Sequence, residues 1–203
     1  GKGNTRRKMI QQRARSYRSH IAYVNLVGGQ DELVFDGQSL LVKPDGKIVA
    51  QGNSFAEELI ISDIVLTPKP QKKLSSKSNI RSYRLPATLL KNKKYPAISA
   101  AVYTEKPEVE EICSALVLGT RDYVLKNGFS KVVLGLSGGI DSALTAVIAA
   151  RALGPQNVVG VLMPSPYSSE GSVQDSLVLA KNLGIETVTF PIEKVMKAYD
   201  QTL

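Results

Sequence analysis

The 203-residue sequence has no tryptophan, one cysteine, one histidine and four phenylalanines. A lone thiol, Cys113, excludes an internal disulfide framework and agrees with a reducing cytoplasm. A lone imidazole, His20, sits at a helix–strand join, so Ser–His or Cys–His catalysis has little support and a local polar contact is its default role. No apolar run is long enough to span a bilayer, and the N-terminus is polar and basic without a secretory apolar segment. The expectation is a soluble cytoplasmic protein.

Acidic residues are also missing from two stretches, residues 1–20 with seven Lys/Arg and residues 64–104 with nine. The formal charge of +8 is therefore local, because the rest of the chain holds ten basic and eighteen acidic residues. An RNA-binding arm carries charge of this kind, but no aromatic platform or nucleic-acid motif accompanies it. A solvated charged face is the simpler reading.

What is present centres on residues 131–142, KVVLGLSGGIDS. Val132, Val133, Leu134 and Leu136 lack polar alternation, which predicts a strand buried on both faces of a parallel sheet. Ser137, Gly138 and Gly139 break it. Residues 141–153 then predict a helix, with Leu144, Val147, Ile148 and Leu153 near a 3.6-residue stripe and Gly154-Pro155 as its stop. A strand, a glycine turn and a helix N-terminus make an anion site, because the first helical N–H groups lack partners and the helix dipole adds positive charge. Counting the G-x-x-x-x-G-K-[ST] phosphate loop from Gly135 puts Ile140 at its second glycine and Asp141 at its lysine, so this loop is of another kind. A carboxylate beside a polyphosphate requires a cation between them, which makes Asp141 a candidate Mg²⁺ ligand. Helix capping is the alternative role for an Asp at this position.

Upstream, residues 1–20 read as a helix whose thin apolar face is Met9, Ile10, Ala14 and Tyr17. A strand is expected over 21–27, a turn or bulge over 28–32, and strands over 33–35, 38–42 and 48–51, the last two joined by Lys43-Pro44-Asp45-Gly46-Lys47. Residues 67–78 are Pro-, Lys- and Ser-rich and read as a linker, and residues 79–104 stay irregular and basic. A helix over about 108–126 follows, with Cys113 as a buried structural residue beside Val109, Ile112, Leu116 and Tyr123. Beyond the loop come strands over 158–163 and 186–191 and a helix over 172–183, an α/β alternation that begins a doubly wound parallel sheet.

The SGGIDS string at 137–142 resembles the SGGxDS signature of the N-type ATP pyrophosphatases, which hold the pyrophosphate of ATP while a substrate is adenylated. The resemblance implies an adenine nucleotide alpha hydrolase-like sheet and ATP contacts from Gly135, Leu136, Ser137, Gly138, Gly139, Ile140, Asp141, Ser142 and Met163. The segment 164–172 resembles the family's MPS-x-YSSEGS stretch near ATP, with Pro166 where related sequences often have Arg. Direct nucleotide contact and a simple loop capped by Ser172 are both open readings of it.

A second resemblance lies upstream: residues 23–37, YVNLVGGQDELVFDG, with Gly46, Gly52 and Phe55-Ala56-Glu57-Glu58, are similar to the late part of nitrilase-like glutaminase domains. It implies the end of an α-β-β-α sandwich. Together the two resemble the glutamine-dependent NAD synthetase family, with residues 1–66 as the C-terminal part of the glutaminase, 67–104 as a connector and 105–203 as the N-terminal part of the synthetase. Implied with the family are ATP and Mg²⁺, deamido-NAD, glutamine or ammonia, a homo-oligomer, and neither membrane nor nucleic acid as partner. Lys2 aligns with the glutamine-carboxylate site. The family's catalytic Glu, Lys and Cys lie upstream of the matched segment, so the chain reads as an internal piece with no glutaminase residue of its own, and Cys113 does not replace the nucleophile. The alternatives are another N-type pyrophosphatase, such as GMP synthetase or a tRNA-modifying ligase, and a noncatalytic nucleotide- or RNA-binding fragment.

Overall fold

The computed structural model describes residues 3–65, 96, 98, 103 and 105–202. The linker at 67–78, most of 79–104 and Lys2 lie outside them.

The chain opens with helix α1, Gly3–Tyr17, followed by strands β1 Ile21–Tyr23, β2 Val27–Gln30, β3 Leu33–Asp36, β4 Leu40–Val42 and β5 Ile48–Gln51. Strands β1, β4 and β5 form an antiparallel sheet, and β2 with β3 a separate antiparallel ribbon. Ile10 and Ala14 of α1 pack with Leu40 and Val42 as a small core. Met9 and Tyr17, expected on the same face, are exposed, because only the two positions one turn apart meet the sheet. The expected single strand over 21–27 is interrupted: the Asn25 amide donates to Asp36 Oδ1 at 2.9 Å and to the Gly37 carbonyl at 2.8 Å, which turns the chain between β1 and β2. Gly28-Gly29-Gln30, expected as a turn, is strand instead, and the reversal falls at Asp31, whose φ is 50°.

The Pro-Asp-Gly hairpin forms as expected. Gly46 has φ 83°, a backbone conformation that favours glycine, and the Arg15 guanidinium lies over it. Helix α1 docks on this turn, with Gln11 donating to the Gly46 carbonyl at 2.9 Å and Arg15 to the Asp45 carbonyl at 3.0 Å.

Helix α2, Glu108–Lys126, leads into β6 Val132–Gly135, α3 Ile140–Leu153, β7 Val158–Leu162, α4 Glu170–Leu183, β8 Glu186–Thr189 and α5 Glu193–Asp200. At the start of α2 the Glu110 carboxylate accepts from Lys106, 3.0 Å away, and holds that ammonium's pKa above the ordinary lysine value. Strands β6, β7 and β8 are parallel, in that order, with Val133 opposite Val159 and Val161 opposite Val188. Both crossover helices lie on one face, where Leu136, Ala146, Ala149, Ala150, Val158, Leu162, Ala180 and Ile185 form the larger core.

That one-sided cover corrects the reading of β6 as buried on both faces. Among the described residues β6 is an edge strand, and Val133 is 70% exposed. Helix α3 buries alanines rather than the expected stripe, and Leu144 is exposed. The small side chains let the helix approach the sheet, and Gly160 admits Leu136, whose Cδ1 would lie 2.6 Å from a Cβ there. Helix α2 has its expected span, but its Val109, Ile112, Leu116 and Tyr123 face is exposed, while Leu118 and Val124 are buried. Cys113 is half-buried, not buried, and its Sγ accepts from Arg151 at 3.3 Å.

Candidate active site: a glycine loop at the mouth of a parallel sheet

The loop after β6 is built by its own side chains. Ser142 Oγ donates to the Gly139 carbonyl at 2.9 Å, accepts from the Ser137 amide at 3.2 Å and meets Ser137 Oγ at 3.0 Å. Ser142 thus closes the loop as a clip. Gly138 has φ 80°, and a Cβ there would lie 2.6 Å from both Cα and the carbonyl oxygen of Ser172, so the loop rests against the first turn of α4. Only glycine satisfies that backbone and that contact together.

Helix α3 has Gly139 as its N-cap and no side-chain capping bond; its first described backbone bond there is from the Ala143 amide to the Gly139 carbonyl at 3.1 Å. The amides of Ile140, Asp141 and Ser142 therefore precede the first intrahelical bond, as helix geometry requires. The Asp141 carboxylate is exposed and takes no part in capping. It stands where the helix dipole is positive and free to meet an added charge.

The opposing wall is the 164–172 segment. Its serines order it: Ser165 N–H donates to Ser168 Oγ at 3.0 Å, Tyr167 N–H to Ser165 Oγ at 3.2 Å, and Ser172 N–H to Ser169 Oγ at 3.1 Å. The cap of α4 is Ser169, not Ser172 as expected, because Ser172 lies inside the first helical turn and donates the capped amide. Between loop and wall is a cavity of about 260 Å³ lined by Gly135, Leu136, Ser137, Met163, Ser168 and Ser172 among others. It opens at the carboxyl ends of β6 and β7, where open parallel sheets hold their ligands. Gly135, Leu136, Ser137 and Met163 line it directly; Gly138, Gly139, Ile140, Asp141 and Ser142 form the exposed loop and helix start that follow.

Among the described residues no three His, Cys, Asp or Glu side chains cluster for a metal. A cation at Asp141 would have one protein carboxylate, which fits Mg²⁺ completed by phosphate oxygens and water rather than a closed protein cage. Sequence reading missed a second, polar cavity of about 740 Å³, lined by Gly3, Arg6, Asp36, Gln38, Glu105 and Glu111 among others. Arg6 pairs with Asp36 at 2.8 Å, and Gln38 donates to Glu111 at 3.3 Å. These partners are 30 and 73 residues apart, so no local pattern announces them.

A carbon–nitrogen hydrolase segment joined to a nucleotide-type α/β unit is the class that this fold and loop define: residues 5–67 match the carbon-nitrogen hydrolase family model and residues 112–203 the NAD synthase family model. Over its whole length the chain is similar to glutamine-dependent NAD(+) synthetases. It is 44% identical to the glutamine-dependent NAD(+) synthetase of Thermotoga maritima, matching all of this chain and 36% of that one. The Synechocystis enzyme of the same name is 44% identical over all of this chain and 32% of its own length. The chain thus spans about a third of the length of these relatives. A solved structure of glutamine-dependent NAD+ synthetase from Acinetobacter baumannii in complex with adenosine diphosphate covers the whole chain at a TM-score of 0.75 and 34% identity, the chain covering 34% of it. Among the described residues no helix is long and apolar enough to cross a membrane.

Proposed function

We propose that these residues form part of a cytoplasmic ATP-dependent carbon–nitrogen ligase that amidates deamido-NAD to NAD with ammonia taken from glutamine. The observation that carries this reading is the loop: three N–H groups at the start of α3 without intrahelical partners, beside an uncapped carboxylate, at the mouth of a cavity on the carboxyl edge of a parallel sheet. Such a site suits a pyrophosphate as leaving group, since fixed N–H dipoles stabilise the charge that builds there. The solved relative that holds adenosine diphosphate supports an adenine nucleotide as the ligand.

In this reading Gly135, Leu136, Ser137 and Met163 line the nucleotide pocket, while Gly138, Gly139, Ile140 and Ser142 shape the loop that receives the pyrophosphate. Asp141 would hold Mg²⁺, which neutralises phosphate charge when bound. A carboxylate of deamido-NAD attacks the α-phosphorus, pyrophosphate leaves, and ammonia then displaces AMP from the acyl adenylate. Activation is needed because an unactivated carboxylate oxygen is a poor leaving group. Lys2 serves the glutamine carboxylate upstream, and residues 1–66, 67–104 and 105–203 divide as glutaminase portion, connector and synthetase portion. The assembly is a homo-oligomer.

The test supplies the enzyme carrying this chain with deamido-NAD, ATP, Mg²⁺ and either ammonium or glutamine. NAD, AMP and pyrophosphate should appear in equal amounts from both nitrogen sources. ADP and orthophosphate as products would contradict the adenylation reading.

A further inference from the structure

Helix α2 touches both parts of the molecule. One side carries Glu111, Gly119, Asp122 and Lys126, which meet Gln38 and the β2–β3 ribbon. Another packs on α3, where Cys113 accepts from Arg151. Helix α3 runs from the SGGIDS loop to the Arg151 contact with α2, so the ribbon is linked to the ATP loop through two packed helices, α2 and α3.

The contact with the ribbon is specific. Gly29 N–H donates to Asp122 Oδ2 at 2.7 Å, and its carbonyl accepts from Lys126 Nζ at 2.5 Å. One residue's two backbone groups are thereby taken by an i, i+4 pair on the helix, in place of a further strand. The Asp122 side chain is 13% exposed and lies 3.5 Å from Lys126 Nζ, so the acceptor is itself charge-paired. Glycines set the approach: a Cβ on Gly29 would come 3.1 Å from Gly119 Cα, and one on Gly119 would come 3.1 Å from Val34 Cγ2. A charge-assisted bond to a backbone amide at such close range fixes orientation as well as proximity.

We propose that Asp122 is a positioning residue: its bond to Gly29 sets how the carbon–nitrogen hydrolase segment sits on α2, and so aligns a nitrogen source with the ATP loop. The proposal rests on the ligase reading above. Ammonia that escapes to water is protonated and ceases to be a nucleophile, so misalignment wastes glutamine without harming the synthetase chemistry itself.

The test uses the enzyme carrying this chain and measures NAD formed from added ammonium, and NAD formed per glutamine hydrolysed. Asp122→Ala should lower the second by about fivefold or more, the lower end of coupling between sites, and leave the first within about twofold of the parent, since Asp122 lies outside the ATP loop. Asp122→Asn retains an oxygen acceptor for Gly29 N–H and should restore most of the ratio. If the parent makes no NAD from ammonium, the ligase reading falls and this proposal with it. If the parent is active and Asp122→Ala keeps the parental ratio, the positioning role alone is overturned. Equal loss of both activities in Asp122→Ala, unrescued by Asp122→Asn, likewise overturns it and makes the bond a stability contact.

Discussion

If the proposed ligase reading holds, replacing Asp141 by Asn should lower Mg²⁺-dependent adenylation of deamido-NAD by about a hundredfold, the size of loss seen when one preorganised electrostatic group is removed from a site of developing charge. Glutamine hydrolysis in the same enzyme should persist. If Asp141 served only the helix dipole, its charge would contribute about 0.3–1 kcal/mol to stability, whereas a hundredfold rate loss corresponds to nearly 3 kcal/mol at the transition state. Helix α3 has no side-chain cap, so Asn does not remove a capping bond. A magnesium titration separates the two roles: the variant should respond weakly to Mg²⁺. An undiminished rate across the titration would assign Asp141 to the helix alone.

Gly138→Ala is expected to damage both stability and nucleotide binding. Its φ of 80° disfavours any side chain, and the added Cβ meets the backbone of Ser172 at 2.6 Å, which cannot rotate away as a flexible side chain can. Backbone strain and overpacking together cost about 3 kcal/mol. The relief available is for the loop to lift from α4, which opens the cavity it shares with Ser168 and Ser172. Gly128 supplies the control, since it has φ 81° and a Cβ there would meet nothing within 4 Å. Gly128→Ala should cost only the backbone part, about 1 kcal/mol, and leave ATP binding unchanged. Urea unfolding with a parallel ATP titration reads both effects. Equal destabilisation by the two substitutions would mean that the Ser172 contact contributes nothing.

The loop was legible in the sequence because its constraints are local. Ser137, Gly138, Gly139 and Ser142 lie within six residues, and glycine and serine there have few other uses at a strand–helix junction. The helix α2, the parallel strands and the Pro-Asp-Gly hairpin were legible for the same reason. What escaped depends on distant partners. Gly28 and Gly29 read as a turn because glycine marks turns locally, yet Gly28 is glycine for its φ of 141° and Gly29 because α2 approaches the ribbon closely. The exposure of Val133, Ile112 and Leu116 was invisible in their composition, since apolar character alone does not say which neighbour covers a residue. The Arg6–Asp36 pair and the Asp122–Gly29 bond join residues 30 and 93 positions apart, beyond any pattern of period two or 3.6.

In the proposed site, ATP enters the cavity between the glycine loop and the start of α4 with its pyrophosphate on the α3 amides. Residue-resolved amide shifts of the chain on addition of Mg²⁺ and ATP test it most directly. The largest changes are expected at Gly138, Gly139, Ile140, Asp141 and Ser142, with smaller ones at Met163 and Ser168. Changes centred instead on Arg6, Asp36 and Glu111, around the polar cavity beside α1, would contradict it.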